Sequence, residues 1–523
     1  MLLENFPPVM FAGLVVIMLI GFPVAFSLAA LGLASGFYAI QMGYFPAAFM
    51  GNLPIAIFSI LSNELLLAIP FFTFMGTILE KCGLAEDMLD SMGQLFGPKR
   101  GGIGYSVIIV GFILGAITGT VAGQVIAMAL ISLPVMMKYN YNMRYATGVL
   151  AASGTITQLV PPSLVLVVLA DQLGRPVGDM YKGAWGPSLM QVGMFALYTF
   201  LLTRIKPTYL PAIPITERTL NGWALWKKCL RGIVPSAILI FTVLGSMGGL
   251  PFQSSAIATP TEAGAMGVVG ALILAAMTKR LSKALLWEAM AGTMRLTAMV
   301  VFILIGSRVF SQVFQGVDGA KWVEHLLTGL PGGQIGFLIV VNVFVFFLAF
   351  FLDFFEIAFI IVPMLAPVAE KMGIDLIWFG VLLCVNLQTS FMHPPFGFAL
   401  FYLRGIADTL FKDKRIPVPV KSNDIYMGAI PWVIMQVILV VIVIFVPQSV
   451  TMFLDKEVVV DIDKVKIEMP AEEAPPTPEL KPGELPTPEA APLEGAAAEE
   501  AADKAAEKAA EDEQKKIDDL FKK

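Results

Sequence analysis

The sequence predicts an all-α polytopic membrane protein built from inverted-topology repeats, with two re-entrant hairpins and two broken helices. Three observations predict it. The 523 residues are 57% hydrophobic and 14% charged, with a mean hydropathy of +0.77, outside the usual range of soluble domains. Two apolar segments, 101–137 and 333–370, are too long for one crossing of about 20 residues and too short for two. Two doubled prolines, Pro161-Pro162 and Pro394-Pro395, interrupt apolar stretches, and each proline lacks the N–H that a carbonyl one turn earlier needs.

The remaining apolar segments fall near 8–20, 24–42, 53–79, 143–172, 186–203, 231–249, 257–277, 287–313, 374–410 and 427–449. No Lys or Arg precedes Lys81, so the start lacks the basic region of a signal peptide and reads as mature protein. Basic residues orient the plan: Lys99-Arg100, Lys138, Arg144, Arg204, Lys206, Lys227-Lys228, Lys279-Arg280, Lys412 and Lys421 share one side if both long segments are hairpins. That side is then cytoplasmic. The opposite loops hold little beyond Arg175, Lys182, Lys321 and Lys371. The first hairpin enters from the cytoplasm, turning at Gly115–Thr120, and the second from outside, turning at Phe351–Glu356. At an offset of 233 residues Pro134-Val135 aligns with Pro367-Val368, Lys138 with Lys371, and Pro161-Pro162 with Pro394-Pro395, as an inverted repeat requires.

The expected organisation is scaffold helices in 1–100, hairpin and broken helix in 101–172, connecting and scaffold helices in 173–332, a second hairpin and broken helix in 333–410, a last helix in 411–454, and a tail in 455–523. The net charge of -5 hides an uneven distribution. From Asp455 onward there are 20 acidic and 10 basic residues; the rest of the chain is net positive. The Pro/Glu/Ala-rich tail has few apolar side chains to offset ordering entropy and is expected to be disordered, on the side away from the cytoplasm.

Candidate ion ligands gather at the breaks. Thr118 and Thr120 at the first tip, with Ser153, Gly154, Thr155 and Thr157, supply neutral oxygens of the kind a sodium ion takes; the same residue types also suit helix packing. The second tip carries Asp353 and Glu356, three apart on one helix face. Either one is protonated or both face a cation, with Glu356 alternatively reaching water. His393 is expected to hydrogen-bond a neighbouring carbonyl, a proton-carrying gate being the alternative. Arg308 is placed either to grip a carboxylate bidentately or to snorkel to the interface. Ala258–Glu262 starts a span with another polar break, matched by Gly21-Phe22-Pro23 in the first half. Cys82, Cys229 and Cys384 are too far apart for a metal or redox motif. No Walker or Rossmann loop and no Ser/His/Asp arrangement occurs, so no enzyme, no cofactor and no nucleic-acid partner is expected. Energy has to come from an ion gradient, or the chain forms a passive pore.

Over residues 1–450, Gly115–Thr120, Leu159-Val160-Pro161-Pro162-Ser163, Ala258-Thr259-Pro260-Thr261-Glu262 and Pro394-Pro395-Phe396-Gly397 resemble the large membrane subunit of tripartite ATP-independent periplasmic (TRAP) transporters. The stretch Thr389–Leu403 looks like the branch for mannitol/chloroaromatic compounds or 2-oxo acids. The resemblance implies an elevator-type ion-transporter fold in the bacterial inner membrane and sodium-coupled uptake of an organic acid. It also implies two partners: a periplasmic substrate-binding protein and a separate small four-helix subunit. It carries the first sodium site to Thr118, Thr120, Ser153, Gly154 and Thr157, and the second to Asp353, Asn386, Gln388 and Thr389. Arg308, Ser163, Thr155 and Ser390 are the expected substrate contacts. Two departures stand out: His393 replaces the family's more usual threonine, and the acidic tail lies outside the pattern. An ion-coupled carboxylate transporter without a binding protein, and a scaffold or channel-like protein with a partner-recruiting tail, stay open.

Overall fold

Proline and glycine punctuate the chain into helices whose order follows the apolar segments. The computed structural model describes residues 5–454 apart from Gly119, Arg218, Asn221, Ser254, Phe351 and 394–396, and gives only the backbone of Leu19, Thr118 and Ile215. The acidic tail and Pro394-Pro395 therefore lie outside the described residues.

Helix α1 (Phe6–Ile20) ends at Gly21, whose φ of +90° suits glycine, and α2 (Val24–Gln41) starts behind Pro23. Helix α3 (Leu53–Leu61) bends by 44° into α4 (Glu64–Lys81), where the Asn63 side chain caps the Leu65 N–H at 2.9 Å. The amphipathic α5 (Leu84–Phe96) leads into a helical hairpin, α6 (Gly102–Thr118) and α7 (Val121–Lys138). Helix α8 (Met143–Thr155) continues into a 3-10 turn, Ile156–Gln158, breaks across the two prolines, and resumes as α9 (Leu164–Leu173). Helix α10 (Val177–Ile205) returns to the basic end. The connection that follows runs across the hairpin's base: Gly101 donates to Leu210 O, Asn142 to Tyr209 O and Ile213 to Gly97 O, at 2.8–3.1 Å.

The second half contains α11 (Gly222–Ser246), α12 (Pro260–Met277), α13 (Lys283–Gly316), the amphipathic α14 (Gly319–Thr328) and α15 (Gly333–Leu348). After a reversal come α16 (Phe354–Glu356), a π-helical turn at Ile357–Ile361, and α17 (Val362–Lys371). Helix α18 (Leu376–Leu387) passes into a 3-10 turn, Gln388–Met392, followed by α19 (Phe398–Lys412), α20 (Ser422–Phe445) and α21 (Gln448–Thr451). Among the described residues, seven helices are long and apolar enough to cross a membrane, or up to nine if each bent pair is one span. Helix α7 is one of the seven.

Two expectations change. The first reversal falls between the end of α6 at Thr118 and the start of α7 at Val121, not across Gly115–Thr120, because Gly115 stays helical: a Cβ there would stand 3.2 Å from the Thr157 Cα, so the glycine serves close packing. Helices α5 and α14 fall between the apolar segments because only one face of each is apolar.

Helix α12 opens with a capping box at Thr-Pro-Thr-Glu, where the sequence marked a polar break at the start of a span. Thr259 Oγ1 accepts from the Glu262 N–H at 3.3 Å, and Glu262 accepts from the Thr259 N–H at 2.8 Å. Thr261 meanwhile ties α12 to α4 by donating to Glu64 O at 2.8 Å. Thr259→Ala is expected to cost roughly 1 kcal/mol, read as a lowered melting temperature of the purified chain in detergent.

Candidate functional site

Breaking a helix inside an apolar core exposes carbonyls that must find partners, and at the first break they find Gln124. Its amide nitrogen donates to Gly111 O at 2.6 Å and to Ser153 O at 2.7 Å, and its oxygen accepts from the Thr157 hydroxyl. Thr157 also bonds Gly154 O at 2.9 Å. One glutamine thus ties α6, α7, α8 and the 3-10 turn together. Ser153 Oγ is buried beside it without a hydrogen-bond partner among the described residues. Gly123 permits a close approach by the Glu80 carboxylate of α4, which a Cβ there would strike.

The second break uses a different amide. Asn386 donates to Asn342 O at 2.8 Å and to Asn342 Oδ1 at 3.1 Å, joining α18 to the hairpin arm α15. Thr389 returns to Asn386 O at 2.7 Å. Gln388, expected at this joint, points elsewhere: its oxygen accepts from Gln191 of α10 at 2.7 Å. Asp353 and Glu356 are tied to each other at the second tip. They form a capping box, with Asp353 Oδ1 accepting from the Glu356 N–H at 3.1 Å and Glu356 accepting from the Asp353 N–H at 3.0 Å. His393 departs from its expected carbonyl bond as well. Its ring lies against Phe346 and Phe350, at centroid distances of 4.4 and 4.3 Å, and neither nitrogen has a partner among the described residues.

The two hairpin ends meet. Thr120 and Asp353 line one cavity of about 270 Å³ with Gln158, Phe391, Phe398 and Tyr402, and α13 passes alongside with Leu296 and Met299. The side chain of Thr118 lies outside the described residues. None of the four expected substrate contacts lines this cavity. Thr155 donates to Ala152 O at 2.9 Å and accepts from Gln436 of α20 at 3.0 Å. Ser163 bonds Gln158 O and caps α9 by accepting from the Val165 N–H at 3.2 Å. Ser390 bonds Leu387 O at 2.7 Å. Arg308 lies in a different cavity, beside Asn63 and Asp171.

Sequence reading missed Gln191, Asn342 and Gln436 in these roles. Each is a lone amide in an apolar helix, and such amides are costly unless bonded. That cost was the available signal.

Residues 11–449 match the family described as "Tripartite ATP-independent periplasmic transporter, DctM component". The chain is 26% identical over 383 residues to the 2,3-diketo-L-gulonate TRAP transporter large permease protein YiaN of Escherichia coli, covering 73% of this chain and 84% of that one. It is 26% identical over 456 residues to the C4-dicarboxylate TRAP transporter large permease protein DctM of Rhodobacter capsulatus, covering 84% and 96%. Among solved structures, the YdaH transporter of Alcanivorax borkumensis shares the fold, with a TM-score of 0.50 at 13% identity over 79% of this chain and 88% of that one.

Proposed function

Because the chain belongs to the DctM family of tripartite ATP-independent periplasmic transporters, we propose that it is the large membrane subunit of a sodium-coupled importer of a small organic acid. A periplasmic binding protein delivers the acid, and a small four-helix subunit braces the scaffold in the bacterial inner membrane. The observation that carries this reading is the meeting of the two hairpin ends, Thr120 and Asp353, on one cavity beside both breaks. Relatives named for C4-dicarboxylates and 2,3-diketo-L-gulonate support a carboxylate substrate.

The substrate sits between the hairpin ends. One sodium ion closes the first joint, using Thr118, Thr120, Ser153, Gly154 and Thr157. The unpartnered Ser153 Oγ is an oxygen this joint leaves to an ion. The second joint uses Asp353, Asn386 and Thr389, while Gln388 braces the adjoining 3-10 turn against Gln191 of α10. Residues 101–172 and 333–410 form inverted repeats that enter the membrane as re-entrant hairpins and move together, as in an elevator, against the scaffold. Only fully loaded and empty forms cross, which couples uptake to sodium. The acidic tail projects into the periplasm.

Chain, small subunit and binding protein reconstituted in proteoliposomes are expected to accumulate substrate only with an inward sodium gradient; equal accumulation without one removes the coupling. Asp353→Asn isolates the charge, because asparagine caps a helix as well as aspartate does. The variant is expected to need several-fold more sodium for half-maximal uptake. Unchanged sodium activation with a folded variant takes Asp353 out of the ion site.

A further inference from the structure

At the end of the molecule opposite the Lys/Arg-rich loops, basic side chains have acidic partners. Arg175 pairs with Glu370 at 3.6 Å, Lys182 with Asp179 at 3.2 Å, Lys321 with Asp318 at 2.7 Å, and Lys371 with Glu324. Arg308 is different. It lines a cavity of about 200 Å³ with Asn63, Asp171, Gln172, Ser307 and Ser311, and it has no ion pair or hydrogen bond among the described residues. Asp171 is the acidic group on that lining, and both its oxygens are engaged: Oδ1 accepts from Asn63 at 2.9 Å and Oδ2 from Gln172 at 2.8 Å. The cavity therefore presents an exposed, uncommitted guanidinium beside hydroxyls, amides and the engaged Asp171 carboxylate. A guanidinium fork matches the two oxygens of a carboxylate, and the neighbouring Ser311 hydroxyl can donate to a second polar group.

The position of this cavity along the fold gives it a use. Helix α13 lines both cavities, with Leu296 and Met299 beside the hairpin ends and Arg308 beside the outer cavity. Nine residues of helix separate Met299 from Arg308, about 14 Å at 1.5 Å per residue. Between the two levels Ser307 donates to Phe359 O at 2.5 Å, fastening α13 to the turn of the second hairpin. Arg308 thus lies beyond that contact from the hairpin ends.

We infer that the Arg308 cavity is a second, outer binding site for an organic carboxylate, fixed on α13 and separate from the site between the hairpin ends. Its role as the station a substrate occupies before reaching the hairpin ends rests on the transport reading proposed above; its affinity for carboxylates does not.

The experiment uses the full chain with its small subunit in membranes and reads the cavity directly. Ser311, one helical turn from Arg308, is replaced in Ser311→Cys; the native Cys82, Cys229 and Cys384 are buried. The rates of modification by an anionic and a cationic methanethiosulfonate of similar size are compared. The anionic reagent is expected to react faster, and Arg308→Gln to lower the anionic-to-cationic ratio by about tenfold, as removal of one charge at helical-turn distance predicts. Arg308→Lys should keep most of the ratio. Millimolar succinate should slow the anionic reagent in the parent and leave Arg308→Gln unaffected, at ionic strength matched with sodium chloride. A ratio indifferent to Arg308→Gln, or a preference for the cationic reagent, overturns the anion site. An intact ratio without protection by succinate overturns its recognition of carboxylates. Modification requires no transport, so failure of sodium-driven uptake is seen separately.

Discussion

Replacing Gln124 with leucine is expected to stop uptake and to lower the stability of the purified chain by about 2–5 kcal/mol. The substitution keeps size and removes three polar contacts. The carbonyls of Gly111 and Ser153 and the hydroxyl of Thr157 lose their shared partner in a region where Gln124, Ser153 and Thr157 are almost fully buried. Thr157 keeps its bond to Gly154 O, and the two carbonyls deprived of the amide cost about 1–3 kcal/mol each, which brings the sum near the stated range. Gln124→Glu retains the acceptor for Thr157 but cannot donate to the two carbonyls when ionised, so it should also fail. Thermal melting in detergent and uptake in proteoliposomes check the pair. An unchanged melting temperature in Gln124→Leu would show that the joint is not held by this amide.

Gly148→Val is expected to leave little folded protein. Helices α8 and α20 cross glycine to glycine: a Cβ on Gly148 would collide with the Gly428 carbonyl and the Trp432 indole nitrogen, and one on Gly428 with the Arg144 carbonyl. Neither backbone can yield without separating the helices, and Trp432 is held edge-on against Phe195 and Tyr198, at centroid distances of 4.9 and 5.2 Å. Overpacking alone costs roughly 1–3 kcal/mol, and separation would also break the Gln436–Thr155 bond. Gly193→Val is the control, since a Cβ there meets nothing within 4 Å. Size-exclusion profiles of the expressed chains should show a monodisperse peak for Gly193→Val and loss of it for Gly148→Val. Equal profiles would mean that α8 and α20 tolerate separation.

The broad plan was legible because it rests on local chemistry. Apolar length marked the spans, the prolines at 161–162 marked the first break, and Asp353–Glu356 and Thr259–Glu262 carry the spacing of capping boxes. At Asp353 that spacing was read as charge chemistry, although the same three-residue interval predicts a cap. What stayed hidden depends on which distant surface a residue meets. Gly115 looked like a turn because nothing local reveals that Thr157 lies against it. Arg308 reads equally as gripping a carboxylate or as snorkelling to the interface, because one sequence cannot tell which of two cavities along α13 it enters. Gln388 was assigned to the nearer hairpin, and only the fold brings Gln191 to it, 197 residues away.

The crossed amides bear on how the chain is made. Gln191, on the helix that follows the first break, serves Gln388 at the second; Gln436, on the helix that follows the second break, serves Thr155 at the first, across 281 residues. A ribosome that has finished the first break has therefore produced a helix whose glycine face and threonine hydroxyl wait for α20, among the last helices it will synthesise. The first half enters the membrane with part of its seat missing. The inserted but uncompleted intermediate, more than the finished transporter, is the species that membrane quality control would meet.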